Sequence, residues 1–139
     1  MSGFSFKSGK SVAQMLADVR VRAEKDADRA LDAGADVLLA QVRVELSRPG
    51  LGRLNARTHR ARPGDPPLRQ SGALLASARV ETPRPGVRRV VVGGPDAPYS
   101  AVQEFGSRTQ PPHPFMRPAL RHARGRMGAQ IIATLKKGR

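Results

Sequence analysis

A helical repeat of apolar and small residues, running from about Ser11 to Ser47, constrains the fold of this chain more than any other feature. The residues recur in steps of three or four, the spacing that places them on one face of a helix. Ser11 is a candidate N-cap, and the pair Pro49-Gly50 ends the predicted helix. The repeat consists of Val12, Leu16, Val19, Ala23, Ala27, Ala30, Gly34, Leu38, Val42 and Leu46.

The middle of this repeat is narrow and rich in alanine. Such a stretch either packs closely against another helix or stays exposed until a partner covers it. Two interpretations of Gly34 are open: a bend within one long helix, or the end of a first helix and the start of a second. Asp28, Asp32 and Asp36 place like charges one turn apart, which slightly destabilises the helix in isolation.

Beyond the first helix, the patterns predict short elements and a second helix. A short helical turn is expected at 71–76, and β-branched residues on both sides of a Pro/Gly turn predict a β-hairpin at 77–92. Residues 99–105 fit either a further strand or a helical turn, and a second helix begins near Phe115. The predicted fold class is α+β: a long N-terminal helix, a small antiparallel β-sheet with a hairpin, a C-terminal helix packed on the sheet, and a long basic loop.

A length of 139 residues suits one domain, since about 100 to 200 residues per domain is usual. Loops beyond about 12 to 15 residues are usually functional or disordered, so we expect the Pro- and Gly-rich segment 48–71 to be mobile until a partner orders it. The sequence contains no secretory signal and no membrane span, which predicts a soluble protein that stays in the cytoplasm of its producer cell. The predicted parts are a flexible N-terminus at 1–10, a long helix at 11–47, a basic mobile loop at 48–71, a β-rich core at 72–114, a C-terminal helix at 115–135 and a basic tail at 136–139.

The net charge of +14 is unevenly distributed. Through Glu45, seven bases are balanced by seven acids, whereas from Leu46 onward 18 bases face four acids. Arginine far outnumbers lysine, which favours forked recognition of phosphate or carboxylate groups. The arginine bias of a GC-rich genome is the alternative explanation.

Residues that would support catalysis or metal binding are scarce. The chain has no cysteine, which excludes a thiol nucleophile, a Cys-type zinc site and a disulfide. His59, His113 and His122 do not stand in a metal-ligand spacing, and the Gly-Gly-Pro run at 93–95 lacks the Lys-Ser/Thr of a phosphate loop. We therefore predict no catalytic, metal-binding or cofactor-binding residue, no cofactor, and a protein that is not an enzyme.

Several short motifs occur in a fixed order between about residues 60 and 120. They are Arg62-Pro-Gly-Asp-Pro-Pro67, Ser71-Gly-Ala-Leu74 with Ser77, Val91-Val-Gly93, Tyr99, Glu104-Phe-Gly-Ser107 and Pro114-Phe-Met-Arg-Pro-Ala-Leu120. In this order the chain resembles the head-tail joining, or tail-completion, proteins in the neck of long-tailed double-stranded-DNA bacteriophages, a group that includes minor tail protein Z-like sequences. Its most specific part is Glu-Phe-Gly-Ser followed within a dozen residues by Pro-Phe-x-Arg-Pro-Ala-Leu. Where Thr-Gly is more usual in that family, this chain has Ser71-Gly72.

The resemblance implies a virion protein of the neck, assembled in the host cytoplasm, that completes the tail end and joins the tail to the DNA-filled head. It implies copies of the chain in a ring, which is a hexamer in the virion of that family. A closed ring is expected because repeated heterologous contacts close by rotation. The implied partners are neighbouring connector proteins, tail-terminator or tail-tube proteins, and double-stranded DNA that passes non-specifically through the channel; no membrane is involved.

Two sets of residues are candidates for these contacts. The loop arginines Arg53, Arg57, Arg60 and Arg62 are candidates both for contacting DNA in the channel and for contacting neighbouring subunits. The full set of candidate subunit or partner contacts is Arg53, Arg57, Arg60, Arg62, Glu104, Phe105, Arg108, Phe115 and Arg117.

Each motif also has a physical interpretation of its own. Ser71 is a candidate cap of the helical turn that follows it. The Glu-Phe-Gly run at 104–106 is expected to bury its aromatic ring and expose its carboxylate, so that Glu104 is either a solvated acid or the partner of an arginine on a neighbouring subunit. Phe115 is expected to anchor the last helix, and the flanking prolines fix the entry angle of that helix.

A second function class is a basic, non-enzymatic nucleic-acid-binding protein. In that case the loop arginines, together with Arg121, Arg124 and Arg126, neutralise phosphates. Against it stand an aromatic content of only 4% and the lack of a helix-turn-helix, zinc or sheet-platform signature. Many of the bases also fall in a loop and a tail rather than on one face, so the ordered motifs favour the assembly subunit.

Overall fold

The computed structural model describes residues 9–47, 72–95, 97–109 and 111–138. The predicted mobile loop 48–71, with Ser71 and the four loop arginines, lies outside the described residues, as do residues 1–8 of the predicted flexible N-terminus. The elements in chain order are α1 (Val12–Ser47), α2 (Ala73–Ser77), β1 (Arg79–Arg84), β2 (Val87–Val91), α3 (Ser100–Phe105) and α4 (Met116–Lys137). The α+β class is therefore confirmed.

Helix α1 is one continuous helix of 36 residues. Ser11 caps it: the Ser11 hydroxyl accepts a hydrogen bond from the backbone N–H of Gln14 (3.2 Å), and the Gln14 side chain accepts one from the backbone N–H of Ser11 (2.8 Å). This reciprocal pair is a capping box, with Gln in place of the commoner Glu. Gly34 lies within the helix, so the chain neither ends nor restarts a helix there.

The two strands form an antiparallel hairpin, with Arg79 opposite Val91 and Arg84 opposite Val87. Gly86 has a φ of +78°, which glycine adopts without steric penalty in the tight turn after proline. The hairpin is tied to α1 by Arg88. Its guanidinium forms ion pairs with the carboxylates of Asp28 (3.5 Å) and Asp32, so two of the like charges on α1 are matched by a cation from the hairpin.

Helix α4 packs mainly against α1 and not against the sheet on which we expected it. The two helices run antiparallel: Glu45 of α1 lies beside His122, whereas Gly34 lies against Ile131 further along α4. A two-stranded hairpin offers little surface to a 22-residue helix. The long helix, by contrast, presents small side chains that allow close approach.

The hydrophobic core lies where α1, α2 and the start of α4 meet. Phe115 is its largest apolar side chain, with only 1% of its surface exposed, which confirms its expected role as an anchor of α4. Residues 99–105, for which a strand or a helical turn was expected, hold the short helix α3. The buried apolar residues of this core are Val42, Leu46, Leu74, Ala78, Ala97, Phe115 and Ala119.

Candidate interaction surface

The carboxylate of Glu104 joins the two most specific motifs of the sequence. Its Oε2 atom accepts hydrogen bonds from the backbone N–H groups of Phe115 (2.8 Å) and Met116 (3.0 Å), and its Oε1 atom accepts one from that of Arg117 (3.1 Å). These groups belong to the first turn of α4, where backbone donors lack partners within the helix. Glu104 therefore caps α4 from outside, across 11 residues of sequence.

This arrangement corrects the expectation for the Glu-Phe-Gly run. Glu104 is 5% exposed and Phe105 is 71% exposed, so the carboxylate is buried and the ring lies at the surface. The reason is that the N–H donors of α4 solvate the carboxylate, which also forms an ion pair with Arg117 of the same chain (3.2 Å). Burial alone raises the pKa of the Glu104 carboxyl, but these hydrogen bonds outweigh it and hold the pKa below its usual value.

The segments Glu104–Ser107 and Pro114–Leu120, joined through the Glu104 carboxylate, are called the motif unit below. Phe105 and Arg117 form its exposed side. The Arg117 guanidinium carbon lies 5.5 Å from the centroid of the Phe105 ring, a cation–π contact. The Arg117 side chain also donates to the carboxylate and to the backbone carbonyl of Glu104, which holds it over the ring. Aromatic and arginine side chains fixed in this way are the residue types that dominate protein interfaces.

The structure separates the candidate contact residues into two groups. Phe105, Arg108 and Arg117 are exposed and available to a partner. Glu104 and Phe115 are buried within the chain, so neither presents its side chain to a partner; they position the exposed residues. The remaining candidates, Arg53, Arg57, Arg60 and Arg62, lie outside the described residues.

The outward face of α4 combines basic and apolar side chains. This helix contains six lysines and arginines and no acid. Leu120, Ile132 and Leu135 are all exposed on it, and Arg121 and Arg124 are exposed between them. The face suits a partner that is apolar or negatively charged.

A buried polar network lies between α1 and α4, and it was not predicted from the sequence. The Glu45 carboxylate accepts a hydrogen bond from the Gln41 amide (3.0 Å) and pairs with His122 Nδ1 (2.8 Å). The Gln41 carbonyl accepts a hydrogen bond from Arg126. One feature of the sequence could have indicated this network. Gln41 and Glu45 are four residues apart and directly precede Val42 and Leu46, the buried residues of the apolar repeat.

The N-terminal half of α1 leaves part of the apolar repeat uncovered. Val12, Leu16 and Val19 are 68%, 65% and 64% exposed, whereas Ala30 and Gly34 further along the repeat are buried. In the alanine-rich middle, for which either close packing or exposure was expected, both occur: Ala30 and Gly34 are buried, and Ala23 and Ala27 are exposed. The C-terminal part of the repeat is covered by α4, and its N-terminal part stays exposed.

Over the parts of the chain that the structure describes, no group of three or more His, Cys, Asp or Glu side chains lies close enough to hold a metal ion. No described helix has the length and apolar character needed to cross a membrane. His113 is buried, and its backbone N–H donates to the carbonyl of Gln103 (2.6 Å).

Comparison with family models, curated proteins and solved structures finds no match for this chain.

Proposed function

We propose that this chain is a structural virion-assembly protein of a bacteriophage neck. In this role it completes the tail end and joins the tail to the DNA-filled head, as one subunit of a ring around the DNA channel. Its neighbours are copies of itself, connector proteins, and tail-terminator or tail-tube proteins. Double-stranded DNA passes through the ring and is contacted without sequence specificity.

The observation that carries this proposal is the motif unit around Glu104. The two segments with the most specific resemblance to neck proteins, Glu104–Ser107 and Pro114–Leu120, meet through three backbone hydrogen bonds to one carboxylate. Their spacing therefore has a physical reason, because the carboxylate must reach the first turn of α4. The same unit presents Phe105 and Arg117 at the surface, where a neighbouring protein can bind them.

The exposed apolar side chains further support an assembly role. Large exposed apolar patches mark sites where proteins bind one another. Here they occur on three separate elements: Val12, Leu16 and Val19 on α1, Val102 and Phe105 on α3, and Leu120, Ile132 and Leu135 on α4. A subunit that contacts several neighbours needs several such surfaces.

The test is to delete the coding sequence from the phage genome that carries it and to examine the lysate by electron microscopy. We expect DNA-filled heads and finished tails that remain unjoined, and rescue by the wild-type chain supplied in trans. A lysate of intact infectious virions would contradict the proposal.

A matched pair of variants connects this test to the motif unit. Phe105→Asp, which changes an exposed ring, should fold normally but fail to rescue joining. Val44→Asp changes an exposed side chain on α1 and should rescue like the wild type. If both variants rescue fully, Phe105 is not part of the joining contact.

The alternative, a basic non-enzymatic nucleic-acid-binding protein, is favoured by one observation: α4 carries six bases and no acid. A salt series of duplex-DNA binding by fluorescence anisotropy separates the two functions. Non-specific affinity is typically about 10⁻⁴ to 10⁻⁶ M at physiological salt. Nanomolar affinity that persists at that salt would favour the nucleic-acid-binding protein, and weak binding that vanishes with added salt would favour the neck subunit.

A further inference from the structure

Val12, Leu16, Val19 and Ala23 form an exposed stripe on α1. This exposed stripe lies on the same face of the helix that α4 covers further along. Val12 and Leu16 lie 18 residues before Ala30 and Gly34 in the sequence, which is five helical turns and hence the same face. Ala30 and Gly34 are buried, and Gly34 lies against Ile131 of α4. A second helix can therefore lie on the exposed stripe in the way that α4 lies on the rest.

Helix α4 stops short of this stripe. Gly138, at its C-terminal end, lies beside Asp26 and Arg29 of α1. The part of α1 that projects beyond this point, from Val12 to Lys25, is about 20 Å long at 1.5 Å per residue. It offers room for a helix of about four turns.

The spacing of the stripe is the same in both directions. Val12, Leu16, Val19 and Ala23 are separated by four, three and four residues. When a second copy of this segment is laid on the first in the opposite direction, Val12 faces Ala23 and Leu16 faces Val19. Every stripe residue then meets a stripe residue, as a self-complementary twofold interface requires.

The charges of this segment permit two copies to approach. Between Lys10 and Asp28, four bases are balanced by four acids, in a chain whose net charge is +14. Two pairs of these charges also neutralise each other locally, since Lys10 pairs with Asp18 (2.5 Å) and Arg20 pairs with Glu24 (2.9 Å). A neutral apolar surface attracts neither DNA nor a strongly charged protein, but it can bind a second neutral apolar surface.

We propose that the exposed stripe of α1 binds the same stripe of a second copy of this chain, with the two helices antiparallel. The contact is about three turns long in each copy. Because standard stable interfaces bury about 1,600 Å² in total, this small contact gives a weak dimer that forms as concentration rises. The inference depends only on α1 and not on the proposed neck function.

The first test is the mass of the purified chain as a function of concentration, by sedimentation velocity or light scattering. We expect a shift from monomer toward dimer between micromolar and millimolar concentration. Leu16→Glu should abolish that shift. Val21→Glu is the matched control, because Val21 is exposed on the other side of the same turns and its variant should dimerise like the wild type.

The second test uses the absence of cysteine from the chain. Single-cysteine variants L16C and V19C are mixed in equal amounts and oxidised, and the disulfide-linked products are identified by mass. Antiparallel pairing predicts that the mixed L16C–V19C dimer forms in excess over both same-variant dimers. V21C should cross-link at least tenfold more slowly than the mixture.

Other outcomes would overturn the proposal. An excess of same-variant L16C dimers would indicate parallel helices and reject the antiparallel register. A wild-type chain that stays monomeric at millimolar concentration, with no cross-linking above the V21C level, would reject pairing of copies. In that case residues 1–8 or a different protein would be the occupant to test on the stripe.

Discussion

At the scale of single residues, Glu104 holds the first turn of α4 in place. Its carboxylate accepts three backbone hydrogen bonds from Phe115, Met116 and Arg117. Hydrogen bonds to a charged group are stronger than those between neutral groups. The same residue also keeps the Arg117 guanidinium over the Phe105 ring. One buried acid thus determines both where α4 begins and what the adjacent surface displays.

Replacing Glu104 by glutamine should lower the free energy of unfolding by about 2 kcal/mol, because buried donors lose a charged acceptor. Urea unfolding monitored by circular dichroism measures the change. Glu81→Gln is the matched control. Glu81 pairs with Arg79 and Arg89 on the exposed side of the hairpin, and exposed ion pairs contribute little. Equal losses in the two variants would contradict the capping role of Glu104.

The effect of E104Q should also depend on pH. The pKa of Glu104 is lowered in the folded chain, so its contribution to stability is complete above the unfolded value of about 4.3. That contribution is lost as pH falls through the lower pKa of the folded state. The difference in unfolding free energy between wild type and E104Q should therefore be largest near pH 7 and shrink below about pH 4. A difference that stays constant from pH 7 to pH 3 would contradict this assignment.

The role of Glu104 was not predictable from its neighbours in the sequence. Local reasoning places an aromatic residue inside and an acid outside, and this rule fails for Phe105 and Glu104. The burial of the two residues is reversed by the start of α4, 11 residues further along the chain. The free N–H groups of that helix reach the Glu104 carboxylate only when the chain folds back on itself. Phe115, by contrast, was predictable, because a large apolar residue beside prolines at the start of an amphipathic helix has few positions other than the core.

At the scale of elements, helical periodicity predicted α1 and α4, and β-branched residues around a Pro/Gly turn predicted the hairpin, but neither signal predicted how these elements pack. The repeat that ends near Leu46 and the turn at Gly86 are local signals, and both elements form where expected. The partner of α4 was not predictable, because this helix carries apolar residues on more than one face: Ala123 is buried whereas Ile132 is exposed. Gly34 on the opposing helix permits a close approach to Ile131, and the sequence of α4 itself contains no sign of this contact.

We expect Gly34→Leu to destabilise the fold by about 1 to 3 kcal/mol, despite the better helix propensity of leucine, because it overpacks the interface with α4. A Cβ atom at this position would already lie 2.8 Å from the Ile131 side chain. Adding Ile131→Ala should recover part of the loss, with a coupling energy of about 1 kcal/mol or more in a double-mutant cycle. Additive effects would mean that the two side chains do not meet.

At the scale of the whole molecule, tertiary support is distributed unevenly along α1. Helix α4, helix α2 and both strands contact this helix. The core residues that α1 supplies, such as Val42 and Leu46, all lie in its C-terminal half. The N-terminal half has exposed apolar side chains and surface ion pairs. One helix is therefore both the central support of the fold and a projecting arm.

Hydrogen exchange should reveal this unevenness. At low micromolar concentration, amides at 15–25 should exchange at least tenfold faster than those at 30–46, because isolated helical segments open locally far more often than packed ones. Mass spectrometry of peptic peptides measures both regions in one experiment. Equal protection along α1 would show that another part of the chain supports the N-terminal half.

The pairing of Glu45 with His122 has a consequence for how the protein is made. The two residues are 77 positions apart, and a ribosome adds about 5 to 20 residues per second. For roughly 4 to 15 seconds after Glu45 is synthesised, its carboxylate has no His122 to meet and the adjoining side of α1 has no α4 to cover it. Each nascent chain therefore passes through an interval in which the side of α1 that α4 covers in the folded protein has no partner within its own chain.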